Sequence, residues 1–278
     1  MSSPNELLPT DSPAPMILSW IITFLFCTIV ISPKLMSHKV RTVVYFITIL
    51  LGGILLGGIP NAVMPIQYIL IAISLRIDGS YLFLVSLVLC LLFFSSLIAG
   101  RIFCGFICPL GTLQELISYI NFKSDLREQL KAKYCIEISS QFSSKIRWIF
   151  FGFLFLLAFL WSTAILPAFN PLSGFAFLKG FTYSLIVPFL GMGIVCIVSI
   201  FFYRPWCRFL CPFGIGSAFF SRFAGIKYQR TENCTDCGLC VRICPTQEAA
   251  ADSQKGECYY CNRCIEICPH NAIKFDMI

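Results

Sequence analysis

Charge is scarce in this sequence. Of 278 residues only 13% are Asp, Glu, Lys or Arg, and just two are histidine. Soluble domains carry about 25% charged residues, so most of this chain is expected to sit in lipid rather than water. Mean hydropathy is +0.80 and 57% of the residues are hydrophobic, in apolar runs long enough to span a bilayer. No Asp, Glu, His, Lys or Arg falls inside the runs 42–59, 81–100, 148–166 and 183–203. Proton and ion pumps need ionisable groups at that depth, which argues against a pump. His38 and His270 stand alone, which argues against a haem or copper site built on histidine. Residues 1–15 lack Lys and Arg, and no small-residue cleavage site follows the first apolar run, so a cleaved leader is not expected.

The apolar runs predict an all-α integral membrane bundle of four to five spans. They cover about Met16–Ser32, Thr42–Ile59, Tyr81–Gly100, Trp148–Leu166 and Tyr183–Tyr203, the first being near the minimum for a ~30 Å hydrocarbon core. Residues 64–75 are apolar but too few to span. They read as a re-entrant, interfacial or connecting piece, as does 167–180. The polar residues 1–15, rich in Ser and Pro, read as a disordered tail. Loops 33–41, 101–147 and 204–222 hold thirteen Lys and Arg, against Arg76 and Lys179 alone on the other side. The positive-inside rule puts the basic side in the cytoplasm. The expected division is a tail at 1–15, an extra span with a basic loop at 16–41, a bundle at 42–226 and a cytoplasmic domain at 227–278.

Sixteen cysteines stand against this apolar background. Eight lie inside 35 residues, as Cys234-x-x-Cys237-x-x-Cys240-x-x-x-Cys244-Pro245 and Cys258-x-x-Cys261-x-x-Cys264-x-x-x-Cys268-Pro269. This is the run that holds paired [4Fe–4S] clusters, the fourth cysteine of each run serving the other cluster. One cluster is expected on Cys234, Cys237, Cys240 and Cys268, and a second on Cys258, Cys261, Cys264 and Cys244. A zinc ribbon needs no evenly spaced triplet, and a disulfide framework needs an oxidising compartment. The stretch resembles a two-cluster bacterial ferredoxin, an α+β fold covering about residues 228–278. Cys27, Cys90 and Cys196, in apolar runs, are expected as small buried hydrophobes, and Cys135 as a bystander.

Two more cysteine pairs follow the third and fifth runs. They read Arg101-x-x-Cys104-x-Phe106-x-Cys108-Pro109-x-Gly111 and Arg204-x-x-Cys207-x-Phe209-x-Cys211-Pro212-x-Gly214, with six identities at a constant offset of 103 residues. The bundle therefore reads as two repeated halves. Cys104, Cys108, Cys207 and Cys211 together could supply four thiolates to a third [4Fe–4S] cluster. A thiol–disulfide relay, another metal or a structural role are the open alternatives. Glu115, after the first pair, is a candidate acceptor for a proton, or an ordinary solvated helix residue. The domain at 227–278 carries six basic and seven acidic groups, and the loop 122–147 six and three. An acidic cluster-bearing domain docking on a basic collar is therefore expected.

Two Cys-x-x-x-Cys-Pro motifs behind membrane spans, ahead of a two-cluster ferredoxin domain, resemble the NapH family of membrane quinol dehydrogenase subunits and its MauN relatives, over about residues 42–278. The resemblance implies iron–sulfur electron transfer between a quinol or quinone and other redox subunits at the cytoplasmic membrane. It implies a four-span core, with 16–32 as an addition. Two other roles remain open: an electron-donating assembly factor or metal reductase, and an anchor that docks partner subunits. Nothing points to nucleic acid.

Overall fold

The computed structural model describes residues 37–75, 79–121, 138–161, 166–180 and 182–277. The expectations for residues 1–36, with the tail, the first run and Cys27, and that for Cys135 lie outside them. The fold is mostly helical and ends in a small two-stranded sheet.

Helix α1 (His38–Thr48) runs on into a wide π-helical stretch, Ile49–Leu55. After the turn at Gly57 and Gly58 the chain forms α2 (Val63–Leu75) and α3 (Gly79–Ala99). Gly58 has φ +90°, and a Cβ there would lie 2.2 Å from the Leu172 carbonyl oxygen, so no larger residue fits. Residues 64–75, expected as a re-entrant, interfacial or connecting piece, lie in this 13-residue α2, packed against α3 and against α5 (Ser140–Trp161). The Ser139 hydroxyl accepts the Phe142 amide (3.3 Å) and so opens α5 eight residues before the expected run.

Short helices α6 (Leu166–Phe169) and α7 (Gly174–Lys179) follow, then α8 (Ile186–Phe201) behind a 3₁₀ turn, Tyr183–Leu185. Among the described residues two stretches, His38–Leu55 and Tyr183–Phe201, are long and apolar enough to cross a membrane, and Val63–Ala72 and Val85–Ala99 are shorter apolar ones. Phe46, Phe94, Phe153, Phe159, Leu190 and Ile194 project outward, more than half exposed.

Each of α3 and α8 ends in a π-helical turn, Phe103–Ile107 and Trp206–Leu210, and then in a further helix, α4 (Pro109–Asn121) and α9 (Phe213–Ser221). The repeated halves are interleaved. Helix α4 of the first packs on α8 of the second, and α9 of the second on α3 of the first.

The C-terminal region is built on β1 (Ile226–Arg230) paired antiparallel with β2 (Ile273–Met277), Tyr228 opposite Phe275. Tyr228, Tyr260 and Phe275 stack edge-to-face beneath the sheet at 5.2–5.5 Å. Between the strands lie two short helices, α10 (Leu239–Ile243) and α11 (Arg263–Glu266).

Candidate metal centres

The two cysteine runs at 234–268 have one backbone path, repeated every 24 residues. Asp236 and Tyr260, Gly238 and Asn262, and Gln247 and Asn271 all have positive φ. For a non-glycine residue this conformation is uncommon, so three matched pairs mark one loop made twice. Such turns aim backbone amides at sulfur. Ala272 N donates to Cys268 Sγ (3.3 Å), and the amides of Tyr260 and Arg263 reach the Cys258 and Cys261 thiols.

The strand pairing brings Arg230 opposite Ile273 and so returns the second loop beside the first. As a result the cysteines sort by space, not by sequence. A cavity of about 360 Å³ is lined by Cys234, Cys237, Cys240 and Cys268. A second, of about 550 Å³, is lined by Cys244, Cys258, Cys261 and Cys264. Each cavity is thus lined by three cysteines of one run and one of the other. Burial pushes the Cys258, Cys261 and Cys264 thiols above their ordinary range, with neighbouring groups contributing. Among the described residues no three His, Cys, Asp or Glu side chains converge on the point a single metal ion would occupy.

The membrane-half pairs are also duplicates in backbone. Cys108 and Cys211 leave their π-helical turns extended, at φ −70°, ψ 116° and φ −71°, ψ 113°. Cys244 does the same before Pro245, at φ −77°, ψ 112°. Proline forbids the helical region to the residue before it but suits the first turn of a helix; the Cys-Pro step therefore ends one turn and starts the next. Cys104 and Cys207 lie within the π-helical turns Phe103–Ile107 and Trp206–Leu210. Gly111 and Gly214 let the new helix lie against the old turn, since a Cβ would come within 2.4 Å of the Cys104 carbonyl oxygen and 3.0 Å of that of Cys207.

Cys104, Cys207 and Cys211 are buried and Cys108 is half-buried, and the four sense one another electrostatically. Burial raises every one of these thiols, Cys104 to about 11, with Arg101 and Arg204 pulling Cys104 and Cys207 the other way. Gln114 Nε2 donates to Cys207 Sγ (3.5 Å).

Around them lies an ion-pair network that sequence reading missed. Arg204 donates through Nε to Glu115 (2.9 Å) and through Nη1 to the Cys104 carbonyl (2.7 Å). Arg147 donates to the Cys207 carbonyl (3.0 Å) and to Glu257. Arg101 joins Glu257 (2.9 Å), Tyr259 Oη (2.5 Å) and the Gly214 carbonyl. Arg263 completes Glu115 (2.9 Å), which also accepts Tyr203 Oη (2.6 Å). Arg41 reaches Glu266 and the Cys261 carbonyl. Arg101 and Arg204 flank the Tyr259 ring at 5.0 and 4.6 Å. The network ties the ferredoxin loops to the helices, so several arginines of the basic collar are interior groups rather than solvated ones.

Two expectations are corrected. Glu115 is fully buried, not a solvated helix residue. Burial alone would raise its carboxyl, but Arg263 and Arg204 hold it below its ordinary value, which makes it a poor proton acceptor as well. Cys90 is exposed on its apolar helix and Cys196 half-buried, so neither is a fully buried hydrophobe.

A family profile described as a 4Fe-4S binding domain matches twice in the helical half, at residues 81–127 and 184–231, and a second profile of that description matches 228–247 and 254–274. The first two matches begin 103 residues apart, at the offset of the repeat. MauN of Methylobacillus flagellatus, a methylamine utilization ferredoxin-type protein, is 26% identical over 57% of this chain and 53% of its own length. The ferredoxin-type protein NapH of Escherichia coli is 26% identical over 54% of this chain and 49% of its own.

The chain is a homologue of the NapH and MauN ferredoxin-type proteins. YccM of Escherichia coli is also similar, 28% identical over 55% of this chain and 43% of its own length. The chain spans about half the length of these NapH- and MauN-type relatives. No solved structure matches it.

Proposed function

We propose that this protein is a membrane-bound electron-transfer subunit with three iron–sulfur centres, working between a quinol pool and other redox subunits. The partition of eight cysteines between two cavities carries the ferredoxin part of this reading. Cys234, Cys237, Cys240 and Cys268 would hold one [4Fe–4S] cluster, and Cys244, Cys258, Cys261 and Cys264 the other.

The third centre would be held by Cys104, Cys108, Cys207 and Cys211. Charge supports it. Among the described residues, six arginines (41, 101, 147, 204, 208 and 263) are buried against three buried glutamates (115, 248 and 257). The Nε atoms of Arg101, Arg147 and Arg208 have no hydrogen-bond partner among the described residues. An uncompensated charge in a dry interior is expensive. Four thiolates around a 2+ cubane bring about two negative charges, and the group's own charge belongs in that count. Metal coordination would also deprotonate thiols that burial holds neutral.

When bound, such clusters supply one-electron chemistry with potentials set by hydrogen bonding and exposure. The protein's residues do the rest. Arginines neutralise and orient, the aromatic floor of Tyr203, Tyr228 and Tyr259 excludes water, and the outward apolar side chains suit a lipid surface. In this reading four or five spans cross the membrane, the Cys-x-x-x-Cys-Pro turns and the ferredoxin domain face the cytoplasm, and quinol is oxidised from within the bundle.

The purified full chain, kept anaerobic, is expected to hold about twelve irons, four per cubane, and to oxidise a quinol analogue with an artificial acceptor. Clusters that stay oxidised with every quinol tried, while a soluble donor reduces them, would remove the quinol from this reading. Eight irons, unchanged in Cys104→Ser with Cys207→Ser, would remove the third centre.

A further inference from the structure

The two ferredoxin cysteine runs are tied to the helices unequally. Glu257, before Cys258, takes Arg101 and Arg147. Tyr259, after it, has its ring between Arg101 and Arg204 and its Oη bonded to Arg101 (2.5 Å). The Cys261 carbonyl accepts Arg41, and Arg263 donates to Glu115 (2.9 Å). Arg208 reaches the Pro245 carbonyl (3.4 Å), beside Cys244. Tyr203, from the helical half, lines the cavity of about 550 Å³ with these cysteines. The first run has no such ties. Among the described residues, the hydrogen bonds of residues 231–243 stay within the C-terminal region. The cavity of about 360 Å³ is lined by residues between 230 and 273 alone, and Cys237 on its wall is exposed.

We propose that the two ferredoxin sites work in a fixed order that reverses their order in the sequence. Cys244, Cys258, Cys261 and Cys264 hold the inner relay, facing the helices across Tyr259. Cys234, Cys237, Cys240 and Cys268 hold the outer relay, at which a redox partner with a basic face exchanges electrons. The inference rests on the ferredoxin clusters and the quinol donor proposed above. Tyr259 is the junction. Arg101 and Arg204, which flank its ring, occupy one position of the repeat, and a Cβ on Gly105 would lie 2.6 Å from the Tyr259 carbonyl oxygen. The first Cys-x-x-x-Cys turn thus touches the residue next to Cys258. Electron tunnelling falls steeply with distance, so this contact makes the second run the entry. The quinol is oxidised to quinone, its protons pass to water, and its electrons move singly to a one-electron acceptor on the partner. At the outer run the charged residues of 231–243 are Glu232, Asp236 and Arg242, all exposed. A cubane with its thiolates adds about two negative charges, so the face is acidic.

The test uses the full-length protein in detergent, kept anaerobic, with iron analysis and low-temperature EPR on each sample. Cys237→Ala disables the outer site and Cys261→Ala the inner one. In Cys237→Ala the remaining ferredoxin cluster is expected to be reduced by a quinol analogue. In Cys261→Ala it is expected to be reduced by dithionite and not by quinol. The opposite pattern would overturn the order. Independently of any donor, a soluble iron chelator is expected to strip about four irons, one cubane, faster than the rest, and this fast fraction should be missing from Cys237→Ala. A fast fraction missing from Cys261→Ala instead would overturn the order. Clusters unreduced by every quinol, with the fast fraction gone from Cys237→Ala, would remove the quinol and uphold the order. If the alanine variants lose both ferredoxin clusters, surface variants decide. Glu232→Gln with Asp236→Asn is expected to slow reduction of cytochrome c, a basic one-electron acceptor, by about threefold at low salt and not at high salt. Asp252→Asn, an exposed site on the loop beside the inner cavity, is expected to leave that rate unchanged. Slowing by Asp252→Asn and not by the pair would overturn the assignment of the outer face.

Discussion

Glu257 is the residue on which the ferredoxin loop hangs. It sits beside Cys258, buried, and takes both Arg101 and Arg147 from the helices. Glu257→Gln would leave two interior guanidiniums short of a counter-charge, which typically costs about 3–5 kcal/mol. Asp236→Asn removes an ion pair whose carboxylate is 84% exposed, and should cost no more than about 1 kcal/mol. Thermal unfolding of the two variants in one detergent compares them, and equal midpoints would mean that the buried network does not hold the domain. None of this was legible in the sequence. Arg101 and Glu257 are 156 residues apart, and nothing local distinguishes an arginine that pairs in the interior from one that faces the cytoplasm. Glu115 was misplaced for the same reason: its partners, Arg204 and Arg263, come from two other elements. The cysteine motifs, by contrast, stand out in the sequence, because their spacing is a short-range property of each loop.

At the level of elements, the repeat was legible as six identities, but its geometry was not. The structure has a π-helical turn, an extended Cys-Pro step and a second helix folded back on the first. The glycines permit that fold-back to different degrees. A methyl at Gly111 would meet backbone oxygen at 2.4 Å, whereas one at Gly214 would meet it at 3.0 Å. Overpacking of this kind costs about 1–3 kcal/mol. Gly111→Ala is therefore expected to lower the melting temperature and the yield of monodisperse protein more than Gly214→Ala. The reverse ranking would contradict the described packing.

For the molecule as a whole, the thirteen-to-two charge asymmetry sets the orientation in the proposed reading. Reporter fusions after residues 140 and 278 should both report cytoplasm, and one after residue 175 the opposite side. An outward C-terminus would place the ferredoxin domain away from any cytoplasmic partner and overturn the localisation. Length and hydropathy made the helical class legible from the start. They could not give the interleaving of the halves, since α4 meets α8 and α9 meets α3 through tertiary packing alone.

That interleaving has a consequence for how the chain is made. Cys104 and Cys108 leave the ribosome with neither Cys207 nor Cys211 yet in existence, and Glu257 comes later still. At about 5–20 residues per second, the 103-residue offset amounts to roughly 5–20 seconds of synthesis. For that interval the first pair of thiols has no partner half to enclose it, and an oxidant can reach it. Oxygen or a disulfide catalyst present during translation should therefore do damage that the finished protein, its cysteines closed off by both halves, would resist.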